Sequence, residues 1–301
     1  MLVRQLFNHA TFGYTYLVAD PMSHEAVLID PVKEKVRDYV QLFNELGLTA
    51  VAAIDTHLHD DHTSGIGVLA QLWGCEAIAG APNETPEVTR KVEDEDTIPV
   101  GDMQLKVIHT PGHTDDSYCL RLDQPGISLV FTGDTLLVRT VGLSNQPSSN
   151  PRMHYDSLFN VLAKLSDDTV VYPGRDFKGW PLSTIGEEKH FNPYLLTKNI
   201  DEFLELKAKQ KPIEIQPLVA KTTKANKKSQ LATAASDAED KDTSAVSGND
   251  FYIPGETRSP DAAAPQTHSE SEDAVKNKKA AQAADDKSTP LDDSVGVPSW
   301  R

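Results

Sequence analysis

The sequence predicts an α/β domain over residues 1–215, followed by a low-complexity, disordered tail over 216–301. Three observations point there. Short apolar runs of strand length alternate with segments whose apolar residues recur at helical spacing. Residues able to ligate a metal gather at the ends of the apolar runs. Beyond about Ala220 the large apolar side chains all but vanish, so that stretch cannot bury enough surface to offset its ordering entropy.

The elements follow in order. Val36, Tyr39, Val40, Phe43 and Leu46 share one helical face, and that helix feeds the apolar run Val51–Ile54. Ile66 to Trp73 reads as a second helix. Met103, Leu105 and Val107 alternate as a half-buried strand does, Tyr118, Cys119 and Leu120 sit in another, and Ile127–Phe131 is a third. Tyr155 to Leu165 and Ile200 to Leu206 read as further helices. In the tail, Phe251–Pro254 and Pro298–Arg301 are the short islands that would serve an interaction.

Composition excludes several classes. A net charge of −16 argues against nucleic acid as partner, since phosphate binding needs clustered positive charge. No window is long and apolar enough for a membrane span. Residues Met1–His9 lack a signal-peptide core, and only two cysteines occur, Cys75 and Cys119, so the expected compartment is the cytoplasm. The oligomeric state is left open, a homodimer included.

The chemistry concentrates in Thr56-His57-Leu58-His59-Asp60-Asp61-His62, directly after the apolar run Val51–Ile54. Imidazole is the commonest biological metal ligand, and carboxylate suits harder divalent ions. In an extended segment residues two apart point the same way, so His57 and His59 are expected to face one pocket. Asp61 and His62 are expected to cap the following helix. Farther on, Pro111 and Gly112 form a turn that presents His113, and the run Ile127–Phe131 ends in Thr132, Gly133 and the acid Asp134.

On these motifs, with Tyr14–Leu17, Glu25–Val32, Phe131–Leu137 and Asn192-Pro193, the chain resembles the metallo-β-lactamase superfamily over about residues 1–210. Within it, the chain is most similar to the persulfide dioxygenase (sulfur dioxygenase) group. The resemblance implies an αββα sandwich with a metal site at the sheet edges. It implies one iron(II), with zinc as the alternative, held by His57, His113 and Asp134 as a two-histidine, one-carboxylate triad with open positions for substrate sulfur and dioxygen. His59, Asp61 and His62 would then orient ligands and water. In the superfamily's two-metal hydrolases the division differs: His57, His59 and His113 hold one ion, Asp61 and His62 the other, and Asp134 bridges them.

Four positions depart from the family pattern. Arg175 stands where the hydrolases place a further histidine; a guanidinium has no lone pair to give and repels a second cation. Leu143, Phe177 and Tyr194 stand where the resemblance expects an arginine, a tyrosine and an arginine to hold glutathione. Arg152, Arg175 and Lys178 are the cations left to meet a substrate carboxylate. The expected function is oxidation of a low-molecular-weight persulfide to sulfite, with a small thiol-derived substrate and dioxygen as partners, and with Asp61, His62 and Arg175 assisting catalysis. Two alternatives stand beside it: a metal-dependent thioester hydrolase like glyoxalase II, and a weakly catalytic metal-binding interaction protein.

Overall fold

The computed structural model describes residues 1–212. The expected boundary at 215/216, the tail's disorder and the two tail islands lie outside the described residues.

Two six-stranded sheets form the centre. The first runs, in order, β1 (Leu2–Asn8), β2 (Gly13–Ala19), β3 (Glu25–Ile29), β4 (Thr49–Ile54), β5 (Glu76–Gly80) and β6 (Arg90–Val92). The second comprises β7 (Thr97–Val100), β8 (Met103–His109), β9 (Tyr118–Gln124), β10 (Ile127–Gly133), β11 (Val170–Pro173) and β12 (Ser183–Thr184), likewise ordered by sequence. β3 to β6 pair parallel, as do β10 and β11; the remaining pairs are antiparallel.

Strand alternation sorts the apolar residues into layers. On β3, Val27 and Ile29 face the second sheet while Ala26 and Leu28 face helices. On β10, Leu129 and Phe131 face inward and Val130 outward. The inner faces meet in a core that includes Tyr16, Ile54, Leu105, Leu120 and Phe131. Two helices, α1 (Val36–Leu46) and α2 (Ile66–Trp73), cover the outer face of the first sheet through Tyr39, Phe43, Ile66 and Leu69. Three more, α3 (Pro151–Asp156), α4 (Ile185–Phe191) and α5 (Ile200–Lys209), cover the second through Tyr155, Ile185 and Phe203, with Leu158 and Leu162 added by the turns that follow α3. The result is the expected αββα sandwich. Among the described residues no helix is long and apolar enough to cross a membrane.

Two sequence expectations need correction. The helix expected over Tyr155–Leu165 starts earlier, at Pro151, because the Asn150 side chain accepts from the Arg152 and Met153 amides and proline suits the first turn. It then passes through a wide turn, Ser157–Val161, and a tight one, Leu162–Lys164. Asp61 and His62 do not cap α2: its N-cap is Gly65, without a side-chain cap, and Ser64 Oγ takes the Ile66 amide.

Candidate metal centre

Each residue of the centre follows the C-terminal end of a strand: Asp30 after β3, His57 after β4, His113 after β8, Asp134 after β10 and Arg175 after β11. Gly133 makes the last bend with φ +46°, and a Cβ there would lie 2.5 Å from Thr56 Oγ1, so only glycine delivers Asp134 to this spot.

His57, His113 and Asp134 offer ligand atoms that all lie within 4.8 Å of one another, and all three residues are buried. Their hydrogen bonds fix which imidazole nitrogen is free. Thr56 Oγ1 donates to Asp30 Oδ2 at 2.9 Å, so it accepts from His57 Nδ1 at 3.0 Å. His113 Nδ1 lies 2.7 Å from the Leu143 carbonyl, which can only accept. Both Nε2 atoms therefore carry bare lone pairs, and both are buried without a hydrogen-bond partner. Burial, then the neighbouring His59 and His113, holds the His57 imidazole well below the ordinary histidine value, in the neutral form a metal requires. Two buried, unpartnered nitrogens beside a carboxylate is the donor set a divalent cation satisfies, and the residues fit the group.

The next cluster joins His59, Asp61 and His62. His62 Nδ1 lies 3.1 Å from Asp61 Oδ2, and His62 Nε2 has no partner. Although its ring lies 4.2 Å from that of His57, His59 is not in the first group. Its Nε2 is 3.3 Å from Asp30 Oδ1 and 3.8 Å from Asp55 Oδ1, and its Nδ1 is 3.8 Å from Asp61 Oδ1. Burial opposes charge on His59, but the carboxylates of Asp30 and Asp61 outweigh it and raise its pKa well above the ordinary value. Asp30, Asp55 and His59 form a third such group.

Arg175 lies between the first two clusters. Its Nε donates to Asp134 Oδ2 at 2.7 Å. Its Nη2 lies 3.0 Å from Asp61 Oδ1, an ion pair by distance whose alignment falls short of a hydrogen bond. Burial disfavours the guanidinium charge, but Asp134 and then Asp61 more than restore it and push its pKa above the usual arginine value.

A cavity of about 310 Å³ opens beside His113 and Asp134. Leu143, Phe177 and Tyr194, the three departures from the family pattern, all line it, together with Leu137 and Val141. Of the three cations expected to meet a carboxylate, only Arg175 reaches it. Arg152 and Lys178 are exposed elsewhere, the latter with Nζ 5.4 Å over the Trp180 ring.

Sequence reasoning gave no role to Asp30, Lys207 or Gln210. Lys207 Nζ donates to the Gly142 carbonyl and to Gln210 Oε1, and Gln210 Nε2 donates to the Val141 carbonyl at 2.7 Å. The same loop returns to the centre: the Gly142 amide donates to the Asp134 carbonyl at 2.8 Å, and Leu143 O holds His113. The available signal was the spacing of Phe203 and Lys207, four apart and buried on one face of α5.

Comparison with known proteins agrees with this architecture. The metallo-beta-lactamase superfamily model matches residues 10–175, and the chain belongs to that superfamily. It falls with the persulfide dioxygenase-like members. It is 36% identical over 207 residues to the mitochondrial persulfide dioxygenase ETHE1 of Homo sapiens, covering 68% of this chain and 80% of that protein. The crystal structure of ETHE1 from Myxococcus xanthus superposes with a TM-score of 0.67 at 39% identity, covering 70% of this chain and 92% of the other. A hydroxyacylglutathione hydrolase of Francisella tularensis subsp. novicida is 32% identical over 215 residues, 70% of this chain and 81% of its own length.

Proposed function

We propose that the protein is a mononuclear iron dioxygenase that oxidises a low-molecular-weight persulfide to sulfite. The observation that carries this reading is the pairing of one open donor set with one blocked one. His57 Nε2 and His113 Nε2 are bare beside Asp134, while Arg175 fills the space between Asp134 and Asp61 with a fixed positive charge. In this reading His57, His113 and Asp134 hold the metal, and two histidines with a carboxylate suit iron(II). His59, Asp61 and His62 do not ligate it; they fix Arg175 and the surrounding water.

The overall reaction takes persulfide, dioxygen and water to thiol, sulfite and two protons. The sulfane sulfur gives up four electrons and dioxygen accepts them. When bound, iron(II) supplies the one-electron chemistry that couples sulfur to dioxygen. The chain's share is to bind, orient and desolvate. The cavity walls Leu137, Val141 and Phe177 keep bulk water from the reacting sulfur. The Thr56–Asp30 chain and the Leu143 carbonyl hold the two imidazoles in the ligating tautomer. Arg175 Nε donates to Asp134 Oδ2 and holds that carboxylate aimed.

The test is oxygen uptake and sulfite release by anaerobically purified, iron-loaded protein given a persulfide. Stoichiometric consumption supports the reading, and its absence with every persulfide tried contradicts it. A second reading, thioester hydrolysis on two metals, is favoured by the cluster His59, Asp61 and His62 and by the likeness to hydroxyacylglutathione hydrolase. It requires Arg175 to leave the position it now fills, and two tightly bound zinc ions in the wild-type protein would support it.

A further inference from the structure

The cavity beside His113 and Asp134 limits which thiol can carry the sulfur. Leu137, Val141, Leu143, Phe177 and Tyr194 give it apolar walls. Among the described residues its cations are Arg175 and Lys211. Arg175 is already committed to Asp134 and Asp61. Lys211 is exposed at the rim. Two carboxylates, Asp60 and Asp134, line the same space and offset the two cations before any ligand enters.

A carrier with two carboxylates and an ammonium, such as a glutathione-type tripeptide, would find one uncommitted cation here. Its other carboxylate would lose water against Leu143 and Phe177 with no second uncommitted cation among the described residues to offset its charge. An apolar carrier meets the opposite situation, since its chain or ring gains from every wall it covers. Asn145 and Gln210 offer hydrogen bonds near the opening and no charge.

We infer that this site, on the dioxygenase reading above, takes a persulfide whose carrier is an alkyl or aryl group with at most one carboxylate, that carboxylate lying at Lys211. The sulfane sulfur points to the floor formed by His113, Asp134 and Arg175, and the carrier lies against Leu143, Phe177 and Tyr194. Leu143 sets the selectivity: it lines the cavity, and its backbone carbonyl holds His113.

Two measurements on the full chain test this. In the first, calorimetric titration compares the S-methyl thioethers of 3-phenylpropanethiol and of glutathione, probes that bind without turnover. The phenylpropyl thioether is expected to bind at least about tenfold tighter, and Leu143→Arg to shift the ratio toward the glutathione thioether by about tenfold, the scale of one new charge pair. In the second, oxygen uptake with phenylpropyl persulfide and with glutathione persulfide is expected to show the same order in kcat/KM. Equal or tighter binding of the glutathione thioether by wild type overturns the inference, even if oxygen uptake proceeds. If the binding order holds but neither persulfide drives oxygen uptake, the dioxygenase reading falls and the cavity assignment stands.

Discussion

Replacing Arg175 removes the cation that two buried carboxylates share. Asp134 is 5% exposed and Asp61 14%, and the guanidinium is within 2.7 Å of one and 3.0 Å of the other. Truncating one partner of a buried charge pair costs about 3–5 kcal/mol, because the remaining charge is left uncompensated. The contact to Asp61 is poorly aligned, so the lower figure applies, and Arg175→Met is expected to cost about 3 kcal/mol. For a domain of this size that lowers the melting temperature by roughly 6–12 °C. Arg175→His suffers the same loss without metal but regains a ligand beside Asp61, His62 and Asp134. Zinc at a hundredfold its dissociation constant then returns about 2.7 kcal/mol, close to what was lost. The assay pairs thermal melting, with and without added zinc, with elemental analysis. The histidine variant should bind about two zincs per chain where wild type binds about one, and should gain thioester hydrolysis but no persulfide-dependent oxygen uptake. A loss below about 1 kcal/mol in Arg175→Met, with unchanged metal content in Arg175→His, would refute the claim that Arg175 stands in the second position.

Three further outcomes are expected. His113→Ala and Asp134→Ala should abolish metal loading and turnover, whereas His62→Ala should lower activity and keep most of the metal; equal metal loss in all three would show the ligands to be divided wrongly. Gly142→Ala should release metal and destabilise the fold, because its Cβ would lie 2.2 Å from the Asp134 carbonyl and 2.8 Å from His113 Nδ1; a variant with normal metal content would show that this loop has room to move. His154 is fully buried and its pKa is pushed down to about 3, by burial first and by Lys207 second. The unfolded chain therefore binds a proton that the folded one refuses between about pH 6.5 and 3, so stability is full above that window and falls as pH drops through it, by up to about 1.4 kcal/mol per pH unit. His154→Gln should flatten that slope in urea melts taken from pH 7 to 4, and an unchanged slope would assign the acid sensitivity elsewhere.

Much of the fold was legible because its signals are local. The helical face of Val36, Tyr39, Val40, Phe43 and Leu46 became α1, and Ile66 to Trp73 became α2, since both carry uninterrupted periodicity. The runs Val51–Ile54 and Ile127–Phe131 lie in strands β4 and β10, and the ligand-rich residues follow strand ends, as expected of polar groups that must leave an apolar sheet. What was not legible depends on contacts distant in sequence. Asp30 carries no signal of its own in the sequence, and only the fold brings it to Thr56 and His59. His57 and His59 do line one pocket, as their spacing suggests, but they belong to different ligand groups, because the chain leaves the extended conformation after Ile54. Beyond its spacing from Phe203, nothing in the sequence singles out Lys207, and its burial against Gly142 follows from how α5 packs. The start of α3 was missed although Asn150-Pro151 carries a recognisable cap.

Metal analysis joined to product analysis tests the central claim most directly. Protein purified without oxygen is assayed for iron and zinc, then given a persulfide and dioxygen while oxygen, sulfite and thiol are followed together. The account predicts about one iron per chain and about one sulfite formed for each dioxygen consumed. About two zincs per chain, rapid thioester hydrolysis and no persulfide-dependent oxygen uptake would contradict it.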